Sequence, residues 1–188
     1  MTTGTMERVG ELTTWAIDPA HTQIEFEVKH MMFAKVRGSF TGFEGSIDIS
    51  SDEDMTGSKA SVCIDTASID TGNAERDKHL RSDDFFDVER FPELRFESRT
   101  VDVREDGGLE VSGDLTIRDV TRTVLLDVSE SGRGTDPWGG ERIGFTATTM
   151  IDRRDFGLEW NQALEAGGVL VGHDVRIYLE VQAVRQTD

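Results

Sequence analysis

Apolar and polar residues alternate along most of this chain, and the alternation limits the folds that it can adopt. Residues 24–29 read I-E-F-E-V-K, so Ile24, Phe26 and Val28 share one face of a strand and the charged residues share the other. The pattern returns in eight further runs, at 46–49, 62–65, 94–97, 101–104, 109–117, 124–128, 143–151 and 175–181. Strands with one dry and one wet face are typical of antiparallel sheets around a shared interior.

Turn-forming residues separate these runs. The turn signals lie at 51–58, 105–108, 118–123 and 131–140. When short neighbouring runs are merged, about eight strands result, and their spacing predicts a meander or an up-and-down antiparallel barrel. Such a barrel has no unpaired edges, and its interior is just wide enough for packed side chains or one slim ligand.

Two segments interrupt the alternation. Residues 30–38 contain Met31, Met32 and Phe33 in succession, and we interpret them as a short helical or irregular link. Residues 73–86 suit one or two helical turns, with Asn73 as the cap. Pro92 prevents helix just before it, so a new strand is expected to follow. The sequence therefore predicts an all-β barrel with one or two short helices.

The length of 188 residues suits one domain, which we place at residues 15–185 after a flexible tail at residues 1–14. No run of about 18 apolar residues is present, so we expect no membrane-spanning helix. The N-terminal residues lack the apolar region of a signal peptide, and Cys63 is the single cysteine. Both observations favour a reducing compartment, and we expect a cytoplasmic protein.

The charge of the chain argues against two classes of partner. The formal net charge is −17, with a pI near 4.5. Such a chain is repelled by phosphate backbones and by anionic lipid surfaces. We therefore expect neither a nucleic-acid partner nor stable insertion into a membrane.

The titratable residues give no firm chemical motif. The four histidines, His21, His30, His79 and His173, show no metal-ligand spacing, and we predict no catalytic site, no metal and no cofactor. An acid–base pair of Asp77 and His79 is conceivable, but alternate residues of a helix do not share a face. A structural salt-bridge cluster is the simpler interpretation.

The aromatic residues allow two interpretations. The chain has ten phenylalanines and one tyrosine, and phenylalanine offers only apolar surface. These side chains could fill a packed core, or some could line a tunnel for an apolar chain, and composition alone leaves both open. The charged stretch 76–98 carries several of them. We interpret its charges as a clasp, with Arg76, Asp77 and His79 in mutual pairs, and its apolar side as a cover facing the barrel.

Nine short motifs follow one another along the chain. They are W-A-I-D-P-A-H-T at 15–22, F-E-V-K-H at 26–30, V-R-G-S-F-T-G-F-E-G at 36–45, I-D-T-A-S-I-D-T-G-N at 64–73, R-D-K-H-L-R-S-D-D-F-F-D at 76–87, F-P at 91–92, F-E-S at 96–98, V-S-G-D-L-T-I-R at 111–118 and R-R-D-F-G-L at 153–158. In this order they resemble the YceI-like family of lipocalin-like polyisoprenoid-binding proteins. The resemblance implies an eight-stranded antiparallel barrel, extended relative to lipocalins, that holds an isoprenoid-like lipid. It also implies a homodimer and no established catalysis.

On this basis we expect a protein that binds an elongated apolar lipid for storage, transport or protection. The residues expected to line the tunnel are Ile24, Phe26, Val28, Phe96, Phe145 and Phe156. The residues expected at its ends, as lids or plugs, are Phe33, Phe40, Phe43, Phe85, Phe86 and Trp160. Arg76, His79 and Arg81 are expected to contact a polar head group, if the ligand has one.

Two other functions stay open at this point. One is an enzyme of small apolar substrates that uses His21, His79 and nearby carboxylates, and it requires these side chains to meet at a cavity. The other is a structural or stress-related barrel whose interior is filled by side chains, and it requires that no continuous cavity exists.

Overall fold

The computed structural model describes residues 11–187, and eleven β-strands form one sheet over them. The strands are β1 (Thr13–Ile17), β2 (Gln23–His30), β3 (Ala34–Phe40), β4 (Phe43–Ile49), β5 (Lys59–Asp65), β6 (Ile69–Asp70), β7 (Glu93–Val103), β8 (Leu109–Ile117), β9 (Val120–Thr135), β10 (Glu141–Asp152) and β11 (Val171–Arg185). Helix α1 spans Ala74–Arg81, and 3-10 turns span Pro19–His21, Thr66–Ser68 and Arg153–Phe156.

The sheet closes into an antiparallel barrel of eight long strands. Two of these bend and are each counted as two strands, β1 with β2 and β3 with β4. The order around the barrel is β1-β4-β5-β7-β8-β9-β10-β11, and β11 then pairs with β1 and β2. The predicted eight-stranded, lipocalin-like barrel is thus confirmed.

Strand β11 makes the closure because its two halves have different neighbours. Ala183–Arg185 pair with β1, whereas Val171–Glu180 pair with β2. Residues Asp174–Val184 of β11 pair with β10 on its other side. The bend between β1 and β2 therefore lies against one continuous strand, which keeps both halves in the barrel wall.

The predicted helical segment and its cap are confirmed. The side chain of Asn73 accepts a hydrogen bond from the backbone N–H of Arg76, as an N-cap does. Helix α1 ends at Arg81, and β7 begins at Glu93, directly after Pro92. Among residues 11–187, no helix is long and apolar enough to cross a membrane.

Three predicted boundaries are wrong. Residues 30–38 are mostly strand, because β2 and β3 form a hairpin in which only Met31, Met32 and Phe33 are unpaired. The segment 118–123 is a turn only at Arg118 and Asp119, and 131–135 continue β9. Residues 120–123 and 131–135 are strand because their backbones pair with β8 and β10, although their side chains do not alternate in polarity.

The predicted tail falls mainly on residues outside the described part of the chain. Residues 1–10 are not described, and β1 begins at Thr13, so the last two residues of the predicted tail belong to a strand. The domain limits of 15–185 otherwise stay a prediction.

An ionic network holds the bend between β1 and β2 to the barrel. The guanidinium of Arg142, on β10, donates to Oδ2 of Asp18 at 2.7 Å and to Oδ2 of Asp136 at 2.9 Å. Asp18 also contacts Nδ1 of His21 at 2.8 Å and caps the first 3-10 turn. Arg142, and then His21, hold the pKa of Asp18 at about 2, below its ordinary value of 3.8.

This network predicts a stability that depends on pH. The folded-state pKa of Asp18 lies below its unfolded value, so the ionised carboxylate stabilises the fold above about pH 4, and this contribution is lost as the pH falls through about 2. We expect Asp18→Asn to lower the free energy of unfolding by about 1–2 kcal/mol at neutral pH and by less near pH 2. Denaturant titrations across this range measure the difference. Asp102→Asn, on an exposed position of β7, is the control. A loss from Asp18→Asn that is the same at every pH would contradict the assignment.

Candidate ligand-binding site

One half of the barrel interior contains an apolar cavity. The cavity volume open to water-sized molecules is about 200 Å³. A single water molecule needs about 10–15 Å³ of such volume, so this is a cavity rather than a packing defect. The surface that faces the cavity is apolar throughout. Thr22, Glu25, Thr149 and Arg153 also border the cavity, but they present no polar surface to it. A wall of this kind offers burial and almost no hydrogen bonding.

The dry faces of eight strands supply most of the wall. Strand β2 contributes Ile24, Phe26 and Val28. The alternating residues of other strands complete it, namely Phe40, Phe43, Val62, Ile64, Leu94, Phe96, Leu115, Ile117, Val124, Leu126, Ile151, Val175, Ile177, Leu179 and Val181. Because side chains on a strand point alternately to its two faces, one apolar pattern per strand is enough to produce this lining.

The segment between β5 and β7 contributes the remaining cover. Leu80 of α1 and the following Phe85 and Phe86 all line the cavity. The ring of Phe86 meets Phe40 of β3 edge-to-face, with 5.7 Å between the ring centres. Phe40 in turn lies 5.7 Å from Phe26. A chain of three aromatic rings thus joins the cover to the barrel wall, which supports the prediction that this segment covers the cavity.

The opposite half of the barrel is filled by side chains. Its buried cluster consists of Trp15, Ile49, Met55, Val101, Leu109, Val111, Val128, Ile143, Phe145, Ala147 and Ala183. Phe96 and Leu179 pack against both this cluster and the apolar cluster around the cavity. They lie where the filled half ends and the cavity begins, so the cavity has an apolar floor.

Arg153 is a buried cation beside this apolar wall. Its side chain is 5% exposed, and its guanidinium donates to the backbone carbonyls of Gly172, Leu158, Trp160 and Val171 at 2.6–3.2 Å. Burial lowers its pKa from the ordinary value. The carbonyls hold the guanidinium, so Arg153 ties the 157–172 segment to the start of β11 rather than pointing a free charge into the cavity.

Eight of the twelve apolar side chains that the sequence assigns to the ligand line the cavity. They are Ile24, Phe26, Val28, Phe40, Phe43, Phe85, Phe86 and Phe96. Their contact with a ligand stays a prediction.

The other four do not line the cavity. Phe145 lies in the filled half, because alternation assigns a face of β10 but not a depth along the barrel. Phe156 is buried in the apolar cluster around the cavity, and Trp160 packs against that cluster and against His79, but neither side chain lines the cavity. Phe33 is 80% exposed at the tip of the β2–β3 hairpin.

The three residues expected at a polar head group have other partners. Arg76 donates to the hydroxyl and carbonyl oxygens of Thr71 at 2.7 and 2.8 Å, and Arg81 donates to the carbonyls of Ala67 and Ile69. Nε2 of His79 contacts Asp84 at 2.7 Å. None of the three lines the cavity, so they order the cover from its outer side.

The expected mutual pairing of Arg76, Asp77 and His79 is also wrong. Asp77 accepts hydrogen bonds from the N–H and hydroxyl of Thr71, the residue that Arg76 also contacts. The clasp therefore connects the helix to the backbone before it, and Thr71 is its centre. Neighbouring helical residues point in different directions, which prevents the direct pairs.

The histidines do not form a common centre. His21 is paired with Asp18 on the β1–β2 bend, and His79 is paired with Asp84 near α1. Neither lines the cavity. Within residues 11–187, no group of three or more His, Cys, Asp or Glu side chains is placed to hold a metal ion. The convergence that the enzyme alternative requires is therefore not found at this cavity.

Comparison with known proteins agrees with the barrel and its motifs. Residues 15–183 match the family model of the YceI-like domain. The chain belongs to the YceI-like family. A UPF0312 protein of Staphylococcus aureus is 38% identical over 166 residues, which cover 88% of this chain and 94% of the relative. A UPF0312 protein of Vibrio parahaemolyticus is 44% identical over 138 residues, which cover 73% of this chain and 72% of the relative.

Solved structures share the family fold. BcnA of Burkholderia cenocepacia superposes with a TM-score of 0.77 at 22% identity and covers 88% of this chain and 98% of its own. The YceI protein of Campylobacter jejuni superposes with a TM-score of 0.69 at 27% identity, covering 85% and 90%. A polyisoprenoid binding domain from Saccharophagus degradans gives a TM-score of 0.67 at 18% identity, covering 92% and 98%.

Arg153 belongs to the cavity wall, but the sequence motifs did not predict it. Nothing in the R-R-D-F-G-L run distinguishes the buried Arg153 from the exposed Arg154. Leu80, Leu94, Leu115 and other aliphatic residues of the wall were not predicted either, because the expected lining consisted mainly of phenylalanines. The alternating pattern contains most of these positions and could have found them.

A glycine makes room for one aromatic ring of the wall. Gly38 on β3 is the register partner of Phe26 on β2, and the Phe26 ring lies across it. A Cβ atom at position 38 would overlap with that ring and come within 2.8 Å of Thr71. The missing side chain thus lets the ring lie flat against the sheet instead of projecting into the cavity.

This contact predicts the effect of a small substitution. We expect Gly38→Ala to turn the Phe26 ring into the cavity, reduce the cavity volume and destabilise the fold by about 1–3 kcal/mol through overpacking. A crystal structure and a denaturant titration of the variant measure both effects. Gly134→Ala on β9 is the control, since a Cβ there meets nothing within 4 Å. An unmoved Phe26 ring would contradict this account of the wall.

Proposed function

We propose that this protein binds an elongated apolar lipid of isoprenoid type in the barrel cavity. The observation that carries the proposal is the cavity itself, which is enclosed by a barrel and has a wall that is apolar throughout. The structural similarity to a polyisoprenoid binding domain of Saccharophagus degradans supports the same ligand class.

The chemistry of the wall selects which part of a lipid it can hold. An acidic head group inside the cavity would need a cationic partner, because an unpaired buried charge is costly. Arg153 is the cation at the wall, and four backbone carbonyls hold its guanidinium. A neutral hydrocarbon chain needs no such partner, so the wall fits the chain of an isoprenoid better than an acidic head group.

The size of the hydrophobic effect shows what length of chain is required. Each buried CH₂ contributes about 0.8 kcal/mol, and a micromolar dissociation constant corresponds to about 8 kcal/mol. On the order of ten buried carbons are therefore needed before the entropic cost of association is counted. This favours an elongated ligand of several prenyl units over a small apolar molecule.

The proposed binding depends on the chain rather than on the head group. Arg76, His79 and Arg81 are already engaged with Thr71, Asp84 and backbone carbonyls. We propose that a prenyl phosphate or an isoprenoid quinone would leave its polar end toward solvent. Storage, transport and protection of such a lipid all require only this mode of binding.

The direct test is to look for the lipid itself. Purified protein is analysed by native mass spectrometry, and its organic extract is analysed for lipids. We expect an added mass that is released on denaturation and recovered as an isoprenoid in the extract. Protein from several hosts that stays ligand-free and takes up no fluorescent prenyl probe would refute the proposal and favour the filled, structural barrel.

Two adjacent residues of β9 provide a matched pair of variants. Leu126 lines the cavity, whereas Leu125 points outward and is 56% exposed. We expect Leu126→Trp to weaken binding of a fluorescent prenyl probe about tenfold or more, because the indole occupies the space of several buried carbons. Leu125→Trp adds the same group outside the barrel and should leave the affinity unchanged. Equal effects of the two substitutions would place the probe elsewhere than in the cavity.

A further inference from the structure

The tip of the β2–β3 hairpin exposes three apolar side chains in succession. Met31, Met32 and Phe33 are 40%, 56% and 80% exposed. Met31 and Met32 have φ values of 51° and 70°, in the left-handed region where glycine or asparagine is favoured. The hairpin therefore displays large apolar side chains at positions where smaller or polar residues would fit the backbone better.

The tip adjoins the cavity. Val28 of β2 and Val171 of β11 both line the cavity, and Val171 is the register partner of His30, the last residue before the tip. The backbone N–H of Met31 donates to the carbonyl of Leu170 at 2.8 Å. The exposed tip thus begins within a few residues of the cavity wall.

The charge around the tip differs from that of the rest of the chain. Residues 28–38 read VKHMMFAKVRG and contain three cations and no carboxylate, in a chain with 37 acidic residues. Lys29 and Lys35 are two of its four lysines. Neighbouring segments carry carboxylates as well. Glu27 forms ion pairs with Lys35 at 3.1 Å and with Arg37 at 2.9 Å, which leaves Lys29 as the cation next to the tip. The nearby exposed carboxylates are Glu159, Glu165 and Asp174.

We infer that the hairpin tip, Met31–Phe33, inserts reversibly into the interface of an anionic lipid bilayer and places the cavity end of the barrel against the membrane. Apolar side chains enter the acyl boundary, and the adjacent Lys29 reaches the head groups with its ammonium end. The net charge of −17 does not prevent this, because charges more than about 8 Å from the surface are screened at physiological salt. The use of the contact, to load or deliver a lipid, rests on the proposed function.

The test is co-sedimentation of the full-length protein with vesicles of phosphatidylcholine alone, or of equal parts phosphatidylcholine and phosphatidylglycerol. We expect binding to the anionic vesicles that weakens at high salt. Phe33→Ser should weaken it about tenfold or more, and Lys29→Glu should weaken it on anionic vesicles only. Phe33→Trp adds a gain of signal, since its indole emission should shift to the blue when these vesicles are added.

The chain offers a matched control at the other end of the barrel. Trp138 is 87% exposed in the β9–β10 turn, beyond the end of β11 that pairs with Arg142. The hairpin tip lies beyond the opposite end, about 45 Å away along the 15 residues of β11. Trp138→Ser should leave vesicle binding unchanged, which separates docking by the tip from non-specific adhesion of exposed aromatic residues.

The outcomes separate this inference from the proposed function. Vesicle binding that Phe33→Ser does not weaken, or that Trp138→Ser weakens equally, would overturn the docking assignment. So would a dimer in solution that dissociates in Phe33→Ser while no vesicle is bound, because a second copy would then cover the tip. A lipid recovered from the cavity without vesicle binding overturns the docking alone. Vesicle binding without any recovered lipid or probe uptake overturns the proposed function alone.

Discussion

The closure of the sheet through β11 is the constraint on which the rest of the molecule depends. One side of this strand pairs with β10 over Asp174–Val184, and the other side pairs with β1 and with β2. Without this second side, β1, β2 and β11 would present unpaired backbone groups at two sheet edges. Closure also makes the interior continuous, so that one apolar residue in two along each strand points into the same enclosed space.

The volume of the inward side chains then divides this space into two halves. Trp15, Ile143, Phe145 and their neighbours fill one half at close packing. In the other half, Phe26 lies flat over Gly38, and a similar contact occurs between Phe96 and Gly113. Large rings that lie against the wall leave the middle open, so the cavity coexists with a high content of phenylalanine.

Charge and apolarity are separated in the cover of the cavity. The stretch 76–98 sends Leu80, Phe85 and Phe86 inward, while its arginines and carboxylates bond to backbone groups and to each other on the outside. At the hairpin tip the arrangement is reversed, because there the apolar side chains face outward. The cavity and the tip lie on the same half of the barrel, and a lipid-binding protein would use both in one sequence of binding and release.

The sequence by itself determined the local features of this protein. Alternation identified most of the strands and their dry faces, Asn73 marked the start of the helix, and the ordered motifs identified the family. It also placed Ile24, Phe26 and Val28 on the face that lines the cavity. These features could be predicted because each depends on residues close together in the chain, through side-chain direction, capping and turn chemistry.

The fold alone sets how deep each side chain lies in the barrel, which partners it contacts and how much space is left between side chains. Phe145 and Ile151 share the dry face of β10, yet Phe145 lies in the filled half and Ile151 lines the cavity. The closure of the barrel sets the position of each residue along the barrel axis. Arg153 acquired its four carbonyl partners from segments that reach it only in the fold. The cavity itself depends on where aromatic rings lie relative to glycines on neighbouring strands. The alternation along one strand contains no information about which residues of the next strand lie beside it.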